Sequence, residues 1–411
     1  MIQIFPSGEG ETNASVNATA KLASPFSIEG NPGADSIQGW STTAPHPIVV
    51  SESGILANLY IKLDATYLNS YTVVVVLNGV ETLLTATISA GGISAFDSVN
   101  AIAITAGDTL SLKQTGAGGN SESPKLKCSL QFTPTIAGTA IIASTNRDLI
   151  TPSGVATNFD HIYAGQGWNA TESSRYFHCP TSGIITAFYV KFQTAMGNTW
   201  TGDFYIYKNG VQQASSKLSF TATDTAKSVT GVSIAFSVGD TLTIGLVTTG
   251  NDDGGQHGAS WSISYQPTVD GDMMIGGKCN TNLSNIQNTE QFGFLVGSGS
   301  IRTSELVTSH ISGGSIELKN FRIDLSVAPG ASQSRDFRIR KNSGNANSYI
   351  TISGTGVTGT DNSNRDSFTQ GDLIGIYHKV ISASPATTIA YWSAVLNSSV
   401  ETILARPMYF K

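Results

Sequence analysis

The run Ala106-Gly107-Asp108-Thr109-Leu110 returns as Val238-Gly239-Asp240-Thr241-Leu242 and again as Gln370-Gly371-Asp372-Leu373, with successive glycines 132 residues apart. A fixed interval of that length marks an internal repeat of a whole folding unit, so the chain is constrained to three copies of one architecture. Each Gly-Asp pair stands between short alternating apolar runs, Ile102-Ala103-Ile104 and Leu110-Ser111-Leu112 in the first copy, Ile234-Ala235-Phe236 and Leu242-Thr243-Ile244 in the second. That pattern reads as strand, tight turn, strand. Glycine supplies the positive φ the turn needs, and the aspartate can hydrogen-bond the backbone two residues on, so Gly107, Asp108, Gly239, Asp240, Gly371 and Asp372 are read as structural turn residues.

A second landmark precedes each of these turns by about thirty residues. The run Thr72–Leu77 leads into Asn78-Gly79, and the equivalent runs lead into Asn209-Gly210 and into Asn342-Ser343-Gly344. Asn-Gly between alternating apolar residues is the strongest short hairpin signal a sequence carries. Comparing Asp203–Gly210 with Asp336–Gly344 sets the phase of this strand: Phe and Ile are kept, whereas Tyr205 and Tyr207 become Arg338 and Arg340, which places the latter positions on the outward face. Only 13% of residues are charged, about half the usual share, and alternation dominates over helical periodicity. The expected fold is therefore all-β, with three tandem jelly-roll-type β-sandwich domains of roughly eight strands each. The boundaries fall at residues 1–20 for an N-terminal arm, then 21–134, 135–267 and 268–411 for the three sandwiches.

An Asn-Gly hairpin followed by an Ala-Gly-Asp-Thr-Leu-type turn and a final aromatic-rich strand resembles the tumour necrosis factor-like jelly rolls, including complement-collagen heads and bacterial spore-surface glycoproteins. The resemblance implies compact trimers of sandwiches. Here three units share one chain, and whether they close into a pseudo-trimer or string out linearly stays open at this point.

Chemistry has no visible address. No Gly-rich phosphate loop, His-Glu-x-x-His helix, nucleophile elbow or Cys-x-x-Cys pair occurs, and the six histidines share no common repeat position. Cys128, Cys179 and Cys279 fall at unrelated places and read as free thiols. Two loops carry clustered oxygen donors, Asn251–His257 and Asp361–Asp366, but neither completes a calcium pattern; the second has Asp366 where the glycine should stand. No catalytic, cofactor or metal residue is assigned. Trp200, Tyr205 and Tyr207 are the candidate surface contacts, as aromatics able to stack on a sugar.

A net charge of −6, with no basic run longer than Arg338–Lys341, argues against a nucleic-acid partner, and no apolar stretch of membrane-spanning length occurs. The start Met1–Ser7 lacks the basic-then-apolar pattern of an export signal. A Gly/Ser/Thr/Asn-rich strand composition without export signal or disulfide framework fits a protein that folds in the host cytoplasm, joins a particle there and is released by lysis. The expectation is a non-enzymatic structural protein of a virus particle, of bacteriophage type, as capsid decoration, spike or fibre. Its partners would be other virion proteins, copies of itself and a host-surface glycan. The alternatives are a secreted or cell-surface glycan-binding or adhesion module and, less favoured, a polysaccharide-acting enzyme.

Overall fold

The computed structural model describes residues 3–7, 21–23, 47–116, 126–146, 155–163, 167–253, 257–279, 281–299, 301–305, 308–382 and 385–398. Among them there is no α-helix, only strands and two short 3₁₀ turns. The first sandwich contains β1 (Gln3–Ser7), β2 (Lys21–Ala23), β3 (Ile48–Val49), β4 (Gly54–Leu63), β5 (Tyr71–Leu77), β6 (Val80–Ile88), β7 (Ser94–Ile104), β8 (Thr109–Gly116) and β9 (Leu126–Pro134). The second contains β10 (Ala140–Asn146), β11 (Ala156–Asp160), β12 (Phe177–His178), β13 (Gly183–Phe192), β14 (Thr201–Lys208), β15 (Val211–Gln212), β16 (Leu218–Phe220), β17 (Ala226–Phe236), β18 (Thr241–Thr249) and β19 (Ala259–Pro267). The third contains β20 (Asp272–Cys279), β21 (Glu290–Gly293), β22 (Gly297–Gly299), β23 (His310–Ile311), β24 (Ile316–Leu325), β25 (Gly330–Lys341), β26 (Gly344–Gly354), β27 (Thr358–Asp361), β28 (Asp366–Phe368), β29 (Leu373–Val380) and β30 (Ala390–Asn397).

Strand order repeats with the sequence. One sheet of each sandwich runs β1-β9-β4-β7, β10-β19-β13-β17 and, with β22 added in parallel at the edge, β22-β20-β30-β24-β27; the other runs β2-β8-β5-β6, β11-β18-β14-β15 and β21-β29-β25-β26. Beside the second sheet, β3, β12 and β23 pair with β8, β18 and β29. Apart from hairpin pairs such as β5–β6, β14–β15 and β25–β26, chain neighbours mostly land in opposite sheets, as in a two-sheet sandwich of jelly-roll type. The expected arm contributes to this order, because Gln3–Ser7 is an edge strand antiparallel to β9 rather than a free tail. Residues 8–20 lie outside the described residues.

The three sandwiches share one continuous apolar core running from Ile48 to Leu396. Its inward residues alternate along the strands as the pleat requires, Cys128, Leu130 and Phe132 on β9, Trp261, Ile263 and Tyr265 on β19. Each fully buried large apolar side chain contributes about 1.5–3 kcal/mol. What alternation alone does not produce is the burial of the other face: Lys127, Ser129 and Gln131 on β9, and Ser260, Ser262 and Ser264 on β19, are buried as well. A sheet buried on both faces has a second layer against its back, and that layer is the neighbouring sandwich.

The hairpins form where the sequence places them. Asn78 and Gly79 have φ of 51° and 81°, and Asn209 and Gly210 have 52° and 74°, the left-handed pair of a two-residue hairpin turn. In the third copy the pair is Asn342 and Ser343, at 51° and 64°, so a serine occupies the site glycine holds elsewhere and Gly344 opens the next strand.

Candidate functional site

The repeated residues build a clasp. In the first copy the Asn78 side chain donates to Asp108 Oδ1 at 2.7 Å and accepts from the Thr109 amide at 2.9 Å. Asn209 does the same to Asp240 and Thr241 (2.8 and 2.8 Å), and Asn342 to Asp372 and Leu373 (2.6 and 2.8 Å). The other aspartate oxygen accepts from the amide three residues back, Thr105, Ser237 or Thr369, at 2.7–2.8 Å. The carboxylate therefore closes its own turn backwards instead of reaching two residues forward. Asn209 and the Ser237 amide hold the Asp240 carboxyl below its ordinary range; Asp372 is held low by its own donors against the cost of burial. The turn glycines, with φ of 96°, 88° and 89°, occupy equivalent places.

The clasp anchors a joint. The Gly107, Gly239 and Gly371 amides donate to the carbonyls of Val50, Cys179 and Ser312, just beyond β3, β12 and β23. Those segments touch the next sandwich: β3 lies against β19, β12 against β30, and β23 against β9. The third of these contacts returns to the first sandwich, so the three units close into a ring with an approximate threefold pattern. The glycine turns follow it, since a Cβ on Gly107 would lie 3.9 Å from Tyr189, one on Gly239 3.9 Å from Arg322, and one on Gly371 3.2 Å from Tyr60, which are matched positions on β13, β24 and β4.

Each joint is closed by different side chains. Between the first and second sandwiches, Ser51 Oγ lies 2.7 Å from Ser262 Oγ and 2.8 Å from Ser264 Oγ. Between the third and first, Gln131 Nε2 donates to the Gly313 carbonyl at 3.2 Å and Lys62 Nζ to the Gly371 carbonyl at 3.3 Å. Between the second and third, His178 Nδ1 is 3.1 Å from Asp324 Oδ2, Asn320 donates to the Pro180 carbonyl at 3.1 Å, Lys278 Nζ donates to the Ser174 carbonyl at 2.9 Å, and the Tyr163 hydroxyl donates to the Met274 carbonyl. Phe177 packs over β20 where residue 276 is glycine; a Cβ there would come within 2.6 Å of its ring and 2.4 Å of the Trp392 carbonyl. Burial and the Arg175 guanidinium push the Lys278 ammonium down to about 7. Burial, with Lys278 and Arg175 nearby, holds His161 well below the usual imidazole range.

The three aromatic surface candidates are corrected by their burial. Trp200 is fully buried, its ring edge-on to Phe192 at 5.6 Å in the core of the second sandwich. Tyr205 and Tyr207 do lie on the outward face, in a cluster separate from the main core, but only 7% and 8% of their surface is exposed. Residues 155–163 and 167–176 supply the cover: Phe159 of β11 meets Tyr207 edge-on at 5.1 Å, and Glu172 accepts from Thr243 Oγ1 at 3.0 Å. Nothing in residues 147–176 signalled a cover.

The acidic loops turn inward. Asp361 accepts from the amides of Tyr349, Ser363 and Asn364, and Asp366 from those of Asn347 and Ser348. In the other loop, Asp253 Oδ1 pairs with His257 Nε2 at 2.7 Å, while residues 254–256 lie outside the described residues. Among the described residues no group of three or more His, Cys, Asp or Glu side chains could hold a metal ion. The three cysteines are buried and unpaired with one another. His46 lies outside the described residues.

Sequence reasoning missed the joints. Their signal was the matched serine of the last strand, Ser129, Ser262 and Ser393, a small buried residue on the outward face, of which Ser262 accepts from the Ser51 amide of the neighbouring sandwich at 3.2 Å.

No protein-family model matches the chain, and no curated protein does. Among solved structures, one of PNGF-II is similar over 80% of this chain and 98% of its own, at 9% identity and a TM-score of 0.20. A chain of the T13 IBDV viral particle is similar over 97% of this chain and 76% of its own, at 10% identity and a TM-score of 0.17. Likenesses this weak bear on neither fold nor function.

Proposed function

We propose that the chain is a non-enzymatic structural protein of a virus particle, of the bacteriophage type, serving as capsid decoration, spike or fibre. The observation that supports this reading is the closed ring of three like sandwiches within one chain. Such a ring offers near-threefold geometry with a permanently fixed stoichiometry, and repetition of one fold suits repeated contacts on a symmetric object. Its stability rests on strand pairing and on burial of both faces of the inner sheet, with no disulfide among the three cysteines. Other virion proteins and copies of the chain are the partners this reading assigns, with weak single contacts summed by avidity. The aromatic platform that would have favoured a sugar-stacking module is buried, which weighs against that alternative.

Mass spectrometry of purified particles from the source tests the proposal. The protein should appear at a fixed copy number relative to the major shell protein. Its presence only as a free species, or hydrolase activity lost on changing one carboxylate, would end the reading.

A further inference from the structure

One position recurs in all three joints and is filled differently in each. It is the outward residue near the end of β4, β13 and β24, namely Lys62, Lys191 and Asp324, which borders the preceding sandwich at Gly371, Pro47 and His178 respectively. Lys62 donates to the Gly371 carbonyl, and Asp324 holds both His178 and Arg322. Among the described residues Lys191 has no such partner, and beside it a solvent-connected cavity of about 180 Å³ opens between the first and second sandwiches. Pro47, Thr145, Lys191, Phe192, Gln193 and Ser260 line it.

We propose that this cavity seats a single acidic sugar residue of uronate type, with its carboxylate on the Lys191 ammonium. The lining divides as a sugar acid requires. Its lining holds one cationic residue, the partly exposed Lys191, and two buried hydroxyl residues, Thr145 and Ser260. Among the described residues both hydroxyls make only long bonds, to the carbonyls of Ala259 and Lys191 at 3.3 and 3.4 Å, and can re-aim at a ligand. Gln193 adds an exposed residue with a side-chain amide, and Pro47 gives an apolar edge for the C–H face of a ring, while the Phe192 ring points the other way, into the core. The volume falls below the roughly 300–1,000 Å³ of drug-sized sites, so it admits one ring and not a chain. Asp253, near the cavity in sequence, is engaged by His257 and does not neutralise the lysine. This inference does not depend on the virion reading, since it concerns the joint and not the place of the protein.

Titration of the full chain with glucuronate, glucose and acetate, followed by calorimetry, tests it, with Lys191→Met, Lys191→Gln and Lys62→Met as variants. Both Lys191 changes sit on a half-exposed side chain, so folding should survive, and thermal melting checks this. Glucuronate should bind saturably, at least about tenfold more tightly than glucose or acetate, and at least about tenfold more weakly to either Lys191 variant, the loss expected for one charge-assisted contact. The Lys62 variant should bind like the parent. Absence of saturation, equal binding by the Lys191 variants, or acetate binding as tightly as glucuronate, which would mean an unspecific anion site, overturns the proposal.

Discussion

At the joint between the first two sandwiches the segment after β3 meets a row of serine hydroxyls, while at the joint between the second and third the segment around β12 meets buried charges and an aromatic ring. The backbone contact is the same in both. Apart from Lys191 the hydroxyl joint is uncharged, should lose little when one member is deleted and has a cavity beside it. The charged joint is filled, with Phe177 seated on Gly276 and with Asp160, His161, Arg175, His178, Lys278, Arg322 and Asp324 gathered around it. Ring geometry therefore comes from strand pairing and the glycine turns, whereas the strength and pH response of each joint are set by side chains that the repeat does not preserve.

The largest effect is expected at the filled joint. Phe177→Ala removes a fully buried ring and should cost about 3–5 kcal/mol of unfolding free energy, whereas Ser51→Ala at the hydroxyl joint should cost about 1 kcal/mol. Chemical denaturation of the two variants makes the comparison, and equal costs would break it.

The joints should also separate on acidification. His161 and His178 are held below the usual imidazole range, mainly by burial, and His378 in the third sandwich is pushed down to about 3 by burial and by Arg335. For groups lowered in the folded state the unfolded chain binds the proton first, so their contribution is complete above about pH 6.5 and falls away as pH drops toward the folded values. Lys278 acts in a higher window: its contribution is complete only above about pH 10.5 and has fallen to its floor by pH 7. Hydrogen exchange at pH 7 and pH 4.5, corrected for intrinsic rates, should show protection lost in β12, β20 and β30 before β3 and β19.

Smaller effects test what the three copies share. Asn78→Ala, Asn209→Ala and Asn342→Ala each remove a side chain bridging two turns and should each cost about 1–2 kcal/mol, nearly alike, because the clasp geometry is alike. Ser343→Gly should stabilise by about 0.5–1 kcal/mol, since it relieves a non-glycine residue at φ 64° in the one hairpin that lacks glycine there.

Turns were the legible part of this sequence and joints were not. Asn78-Gly79 and Gly107-Asp108 declare themselves because their backbone demands a residue type, and the matched spacing showed that the demand recurs. That Asn78 and Asp108 bind each other was not readable, although both landmarks were, because a thirty-residue interval carries no distance. The outward phase of Tyr205 and Tyr207 was legible from their replacement by arginine; their burial was not, because the cover comes from a segment without periodicity. Lys278, Arg175 and Asp160 gave no signal, since a buried charge and a solvated one look identical in a sequence.

The central claim is that the third sandwich returns to the first and closes the ring, and small-angle X-ray scattering of the monomeric chain tests it most directly. A compact body of this length should have a radius of gyration of about 22–25 Å, whereas three such sandwiches strung in a line should give about 33 Å. A value near the first, unchanged by salt, is the result the ring predicts, and a value near the second would contradict it.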